Sequence, residues 1–151
     1  MKRVLITLAL AAVSLLCARA QSMDSLIEKY AYQKSAVTVT MPEQILKKMA
    51  RRDNNDLLRK LTEIKIISIS GSDGNCLRDR FLEDARRLTA RYEVLFSVSN
   101  AGRWVSAYID GHCREAITLS SDDEAVTLLY MRGDIDDDMQ DALLSNKIRI
   151  K

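Results

Sequence analysis

Asp110-Gly-His112-Cys113 holds the only histidine of the chain, beside a cysteine and two residues past a carboxylate. An imidazole next to a thiol can activate a cysteine nucleophile, and His, Cys and Asp are all metal-ligand types. The spacing argues against both uses. A zinc site needs three or four ligands, and no second His/Cys cluster exists. A catalytic Cys–His pair must converge in space with a third, orienting group, whereas neighbours on a tight turn point apart. Asp110-Gly111 is turn chemistry, so the tetrapeptide reads as a hairpin tip. Asp110, His112 and Cys113 are kept only as the alternative: a small enzyme using that cluster.

Four further motifs carry less. Asp134, Asp136, Asp137 and Asp138 suggest calcium, but the EF-hand glycine and the closing glutamate are missing. Arg132-Gly133-Asp134 spells an adhesion tripeptide where a strand meets a helix, so its backbone is expected to be committed there; Asp134 is the expected N-cap. Ser70-Gly-Ser-Asp-Gly-Asn75 lacks the lysine and hydroxyl of a phosphate-binding loop and reads as a connector. Lys47, Lys48, Arg51 and Arg52 make one basic helix face, which reads as solvated. No catalytic residue, metal ligand or cofactor is assigned.

The elements that must hold these residues are led by the stretch from Tyr92 to Met131. Tyr92–Val98, Trp104–Ile109, Arg114–Leu119 and Ala125–Met131 are short runs rich in β-branched and aromatic residues. Breaks at Asn100-Ala-Gly102, Asp110-Gly111 and Ser120-Ser-Asp-Asp123 are too short for a parallel return, so the four strands form an antiparallel meander. Alternation puts Val94, Phe96 and Val98 on one side, and Trp104, Ser106 and Tyr108 opposite Val105, Ala107 and Ile109. Before the meander, Ala36–Thr40 reads as a short strand and Glu63–Ile69 as a central one, since its isoleucines point to both faces. Helices are expected over Ser22–Gln33, after Pro42, through Leu57–Leu61 and over Cys76–Arg91. In the last, Leu77, Phe81, Ala85 and Leu88 face the sheet, while Arg78, Asp79, Glu83, Arg86 and Arg87 are expected outward. Ile135, Met139, Ala142 and Leu143 mark a final helix, and Ser145–Lys151 a short tail with an edge-strand pattern.

Residues 1–20 read as an export signal. Lys2 and Arg3 form the positive start, Val4–Leu16 the apolar stretch and Ala18-Arg19-Ala20 the small-x-small cleavage pattern. About thirteen apolar residues are too few for a membrane span, which needs roughly twenty. Leu16 before Cys17 does not suit lipidation. Cleavage is expected between Ala20 and Gln21, leaving residues 21–151 as one domain without a transmembrane segment. The leader takes Lys2, Arg3 and Arg19 with it and no acid, which leaves 20 basic against 21 acidic side chains. That balance gives no footprint for nucleic acid. Cys76 and Cys113 then remain as a candidate disulfide in an oxidising compartment; their placement at one end of the sheet is an expectation.

Leu57–Ile67 leading into a strand, Tyr92–Val98 opening the meander, and Val126–Ile135 closing it with a Gly-Asp-hydrophobic step are familiar in order and pattern. Together they resemble a family of small exported proteins of Gram-negative bacteria, domain of unknown function 4252. The resemblance covers most of the chain after the leader. It implies an envelope protein of mixed α and β structure and brings no catalytic residues. The expected fold is therefore α+β, a single domain with a mainly antiparallel sheet of five or six strands and helices packed mostly on one face. The expected role is a non-enzymatic binding or interaction module in the periplasm or outer envelope, for an envelope protein or ligand that the sequence does not name.

Overall fold

Ile64, Ile66, Ile67 and Ile69 place apolar side chains on both faces of one strand, and that strand lies inside the sheet. The computed structural model describes residues 22–71 and 76–149, with side chains to residue 145. Residues 1–20, where the sequence leads one to expect an export signal, and most of the glycine-rich loop lie outside these residues. Six strands form one antiparallel sheet: β1 (Ala36–Pro42), β2 (Leu61–Ser70), β3 (Glu93–Asn100), β4 (Arg103–Ile109), β5 (Glu115–Ser121) and β6 (Ala125–Gly133). Their order is β1-β2-β6-β5-β4-β3. The meander β3–β6 is as its short turns require, and β2 pairs with its last strand. This is the single α+β domain that the sequence predicts, but the helices do not pack mostly on one face: they cover both, because β2 and β6 carry apolar side chains on each side.

The larger core cluster lies on one face, under α1 (Met23–Ala31) and α4 (Cys76–Thr89). Leu26, Ile27 and Tyr30 of α1 and Phe81, Ala85 and Leu88 of α4 close over Ile67, Ile117, Leu119 and Leu128. Tyr30 and Phe81 meet edge to face, with ring centroids 5.1 Å apart. Burying each such large side chain stabilises the fold by about 1.5–3 kcal/mol. Trp104 and Tyr108 pack against this cluster, and the Arg86 guanidinium lies 4.9 Å from the Trp104 ring centroid. A smaller cluster on the other face gathers Leu46 of α2 (Glu43–Asp53), Ile64, Ala116, Met131, Ile135 and Met139, with Leu57 and Leu58 of α3 (Asp56–Arg59) and Leu143 of α5 (Asp137–Arg149) at its margin.

Local chemistry sets the helix ends. Ser22 caps α1 by accepting from the Ser25 amide at 3.1 Å. Asn54 closes α2 in the left-handed region (φ 48°), and Asn55 caps α3 through the amides of Leu57 and Leu58. The cap of α5 differs from the sequence expectation. Asp134 is exposed and stands before the helix; Asp136 caps it, accepting from the Met139 amide at 3.1 Å. The displacement has a cause. The Ile135 amide bonds the Cys113 carbonyl at 2.9 Å and the Ile135 side chain is fully buried, so the chain stays extended two residues longer. Asp136→Ala should therefore lower the urea midpoint and Asp134→Ala should not. The reverse order in equilibrium unfolding would restore the earlier cap.

Three other expectations change. The tail does not form a strand, because α5 continues through Arg149. The side of Val94 is reversed, because a register shift between Val94 and Phe96 breaks the alternation and leaves Val94 56% exposed. Arg78 faces inward: it is 8% exposed and its guanidinium bonds the carbonyls of Gly71, Asp122 and Asp123. The loops at that end of the sheet need a donor, and the first turn of α4 brings one.

A charged row at one end of the sheet as the candidate functional site

The register of three neighbouring strands builds the densest polar cluster. Arg132 of β6 pairs with Glu63 of β2 on one side and Glu115 of β5 on the other. Side chains opposite one another in adjacent strands share a face, so an acid, a base and an acid stand in a row. Asp24 of α1 comes down on the same row. Its carboxylate accepts from Lys65 Nζ at 2.6 Å and from Arg132 Nη2 at 2.6 Å. Arg132 also donates from Nη1 to Glu63 at 3.3 Å and from Nε to the Tyr130 hydroxyl at 2.8 Å. Tyr130 in turn donates to Glu115 at 2.7 Å, and Tyr92 donates to the other Glu115 oxygen at 2.6 Å. A shallow cleft of about 310 Å³ opens beside the row, lined by Arg91, Tyr92, Asp110, Glu115, Tyr130 and Arg132 among others.

The electrostatics follow from these contacts. Burial pushes the Asp24 carboxyl up, but hydrogen bonds and charge from Lys65 and Arg132 outweigh it and hold the group below the usual carboxylate range. The bond to Asp24 raises the Lys65 ammonium. Burial, then the bond to Glu115, lifts both the Tyr92 and Tyr130 phenols well above their ordinary value. Phenols raised this far stay protonated at neutral pH and serve as donors rather than bases. Both Glu115 oxygens and all three Arg132 nitrogens already have partners within the protein. The row therefore pins α1 to the sheet.

A pH dependence follows. A carboxyl whose folded pKa is lowered contributes stability that is complete above its unfolded value, about 3.9, and is lost as pH falls through the folded value. Asp24→Asn should be less stable than the parent at pH 7, with the difference shrinking below about pH 4. A gap that stays constant down to pH 2 in urea titrations would show that the ionised carboxylate is not what holds α1.

The residues singled out from the sequence do not converge. Asp110 Oδ1 accepts from the amides of Arg114 and Glu115 at 2.7 and 2.8 Å, and Oδ2 from the His112 amide at 3.3 Å. The carboxylate thus organises the β4–β5 turn. His112 and Cys113 are exposed on that turn, and Cys113 adopts a positive φ of 53°. No side-chain hydrogen bond joins the carboxylate, imidazole and thiol. Among the described residues no group of three His, Cys, Asp or Glu is placed to hold a metal.

Cys76 and Cys113 are free, exposed thiols at opposite ends of the sheet. Cys76 starts α4 near the β5–β6 turn, and Cys113 lies where β6 leaves the sheet. The length of β6 separates them, roughly 25 Å at the usual strand rise. A bridge needs Cα atoms within about 7 Å. The expected proximity fails because the antiparallel meander sends alternate turns to opposite ends.

What sequence reasoning missed is Arg132, Glu115, Asp24 and the two tyrosines as one unit. Arg132 was legible only as part of a tripeptide, and nothing before the register places it between two glutamates. The adhesion tripeptide is not presented as such, because the Arg132 side chain lies in this row and Gly133 packs on the Lys60 carbonyl.

The fold and this row define a single-domain α+β protein built on a six-stranded antiparallel sheet, four strands of which form a meander. The chain belongs to the family Domain of unknown function (DUF4252), whose model matches residues 30–143. No curated protein and no solved structure matches the chain. Among the described residues no helix is long and apolar enough to cross a membrane.

Proposed function

We propose that this chain is an exported, non-enzymatic interaction module of the cell envelope, working through the free edge of its sheet at β1. One observation carries the reading. β1 reads Ala36-Val-Thr-Val-Thr-Met-Pro42, without a charge, and exposes Val37 to 63% and Val39 to 44%. Sheet edges are ordinarily blunted by charge, bulges or cover, and one left flat and apolar is a template for another strand. The opposite edge, β3, has the usual protections: the register shift beside Val94 and a terminal Glu93. Strand addition takes affinity from backbone groups and specificity from alternate side chains, and needs no reactive residue. The leader pattern of residues 1–20 supports export.

The full chain is expressed with a C-terminal tag, fractionated, and cross-linked in intact cells. The tagged protein is expected in the envelope fraction, starting at Gln21, with cross-links through β1 that a proline at Thr38 abolishes. A cytoplasmic protein retaining Met1 would remove the export reading. Cross-links indifferent to Thr38→Pro would remove the edge reading.

A further inference from the structure

The partner of the β1 edge follows from the phase of its hydrogen bonds. We infer that β1 pairs antiparallel with β1 of a second copy of this chain, across a two-fold axis at Val39, forming one sheet through both copies. This rests on the reading of β1 as the working edge and names its occupant.

Ser70 N–H donates to the Ser35 carbonyl at 2.9 Å, which makes Ser35 and Ser70 a hydrogen-bonded pair. Antiparallel pairs alternate, so Val37–Ser68, Val39–Ile66 and Met41–Ile64 are hydrogen-bonded pairs as well. The backbone groups of Thr38 and Thr40 then point away from the sheet. Ala36 N–H already donates to Gln33 O at 3.0 Å, and Pro42 has no N–H. The free donors of this edge are therefore the N–H groups of Thr38 and Thr40, one on each side of Val39, each beside the outward carbonyl of the same residue.

A strand with that arrangement matches itself. Centring on Val39 sets Thr38 opposite Thr40 of the second copy, as hydrogen-bonded pairs on both sides of the axis. Val39 meets Val39, and Val37 meets Met41, on the face that already shows half-buried Ile66. Like side chains meet with no charge in the contact. Lys34 and Glu43 flank β1 at opposite ends, so antiparallel pairing brings exposed groups of opposite sign from the two copies toward each other at both ends, although Glu43 already holds Lys47 at 2.6 Å. An isologous contact of this kind closes at two copies and does not propagate. A partner strand of another protein would have to match the same short register without the symmetry.

A paired strand this short buries less than the ~1,600 Å² of a standard interface, so the dimer should be concentration dependent. Its mass is measured by sedimentation over a roughly hundred-fold concentration range, using protein recovered from cells expressing the full chain. The expected result is a shift from one copy to two. Val39→Lys puts like charges directly across the axis while standing on an exposed position, and should weaken self-association about ten-fold or more. Mixing Val39→Lys with Val39→Glu should restore the two-copy mass, which only a register centred on residue 39 predicts. Val94→Lys on the other edge should leave it unchanged. A parent that stays monomeric throughout overturns the inference, as does a dimer indifferent to Val39→Lys or a mixture that stays monomeric. If the parent is monomeric while Thr38→Pro still abolishes cross-links to another envelope protein, self-pairing falls and the edge reading stands.

Discussion

Gly133→Ala should destabilise the protein by about 3 kcal/mol or more, the largest effect expected among Gly102, Gly111 and Gly133. Gly133 has φ +149°, and a Cβ there would stand 2.3 Å from the Lys60 carbonyl oxygen and 2.7 Å from the Leu61 Cα. Both obstacles are backbone, so no rotamer change relieves them. The clash falls where β2 and β6 begin to pair and beside the Asp134–Lys60 backbone bond of 2.9 Å. Relief therefore means parting β2 from β6 or losing that bond. Gly111→Ala is the control, because nothing lies within 4 Å of its Cβ position; its cost should stay within about 0.5 kcal/mol. The measurement is the urea midpoint at unchanged slope. A Gly133→Ala protein as stable as the Gly111→Ala protein would falsify the close-approach account.

Arg78→Met should cost about 3 kcal/mol. The stem of the side chain survives in methionine, so the change isolates the guanidinium. Arg78 reaches Gly71 O and Asp123 O at 3.1 Å each, the Asp122 carbonyl, and Ser121 Oγ at 3.3 Å. Each carbonyl left unpaired in a buried place costs about 1–3 kcal/mol, less where water can enter. Arg78→Lys should recover only part of the loss, since a single ammonium cannot span acceptors that lie in two separate turns. If Met and Lys variants both unfold with the parent, these carbonyls are satisfied by solvent.

The two variants also mark how far the sequence could be read. Strand alternation and turn residues were sufficient for the meander, because both act over neighbouring residues. The isoleucines of β2 announced a strand covered on each face, which was sufficient to place it inside the sheet. Pairing register was not legible, and everything that depends on it was missed. Arg132 between Glu63 and Glu115 exists only because β2, β6 and β5 are aligned at those residues. Arg78 looked like one more charge on an outward helix face, since the carbonyls that draw it in come from distant turns. The cap moved from Asp134 to Asp136 because a tertiary bond, Ile135 to Cys113, delays the helix. The thiols lay far apart because turn parity, which depends on counting strands correctly, decides the end of the sheet.

The neighbour of β2 has a consequence for the order of folding. β3, β4, β5 and β6 are joined by tight turns and can zip together within microseconds, as local hairpins do. β2 must instead wait for β6, with α4 and three whole strands intervening in the chain. Such non-local pairing slows folding, because loop closure precedes the contacts that reward it. Chains are made from the N-terminus, so the isoleucine-rich β2 and the uncharged β1 emerge together with only each other to pair with. Until β6 arrives, that two-stranded ribbon has an apolar surface on both faces and is the segment most in need of a chaperone. Pulse-labelling hydrogen exchange during refolding should find the amides of Ala116–Ser121 protected before those of Ile64–Ile69.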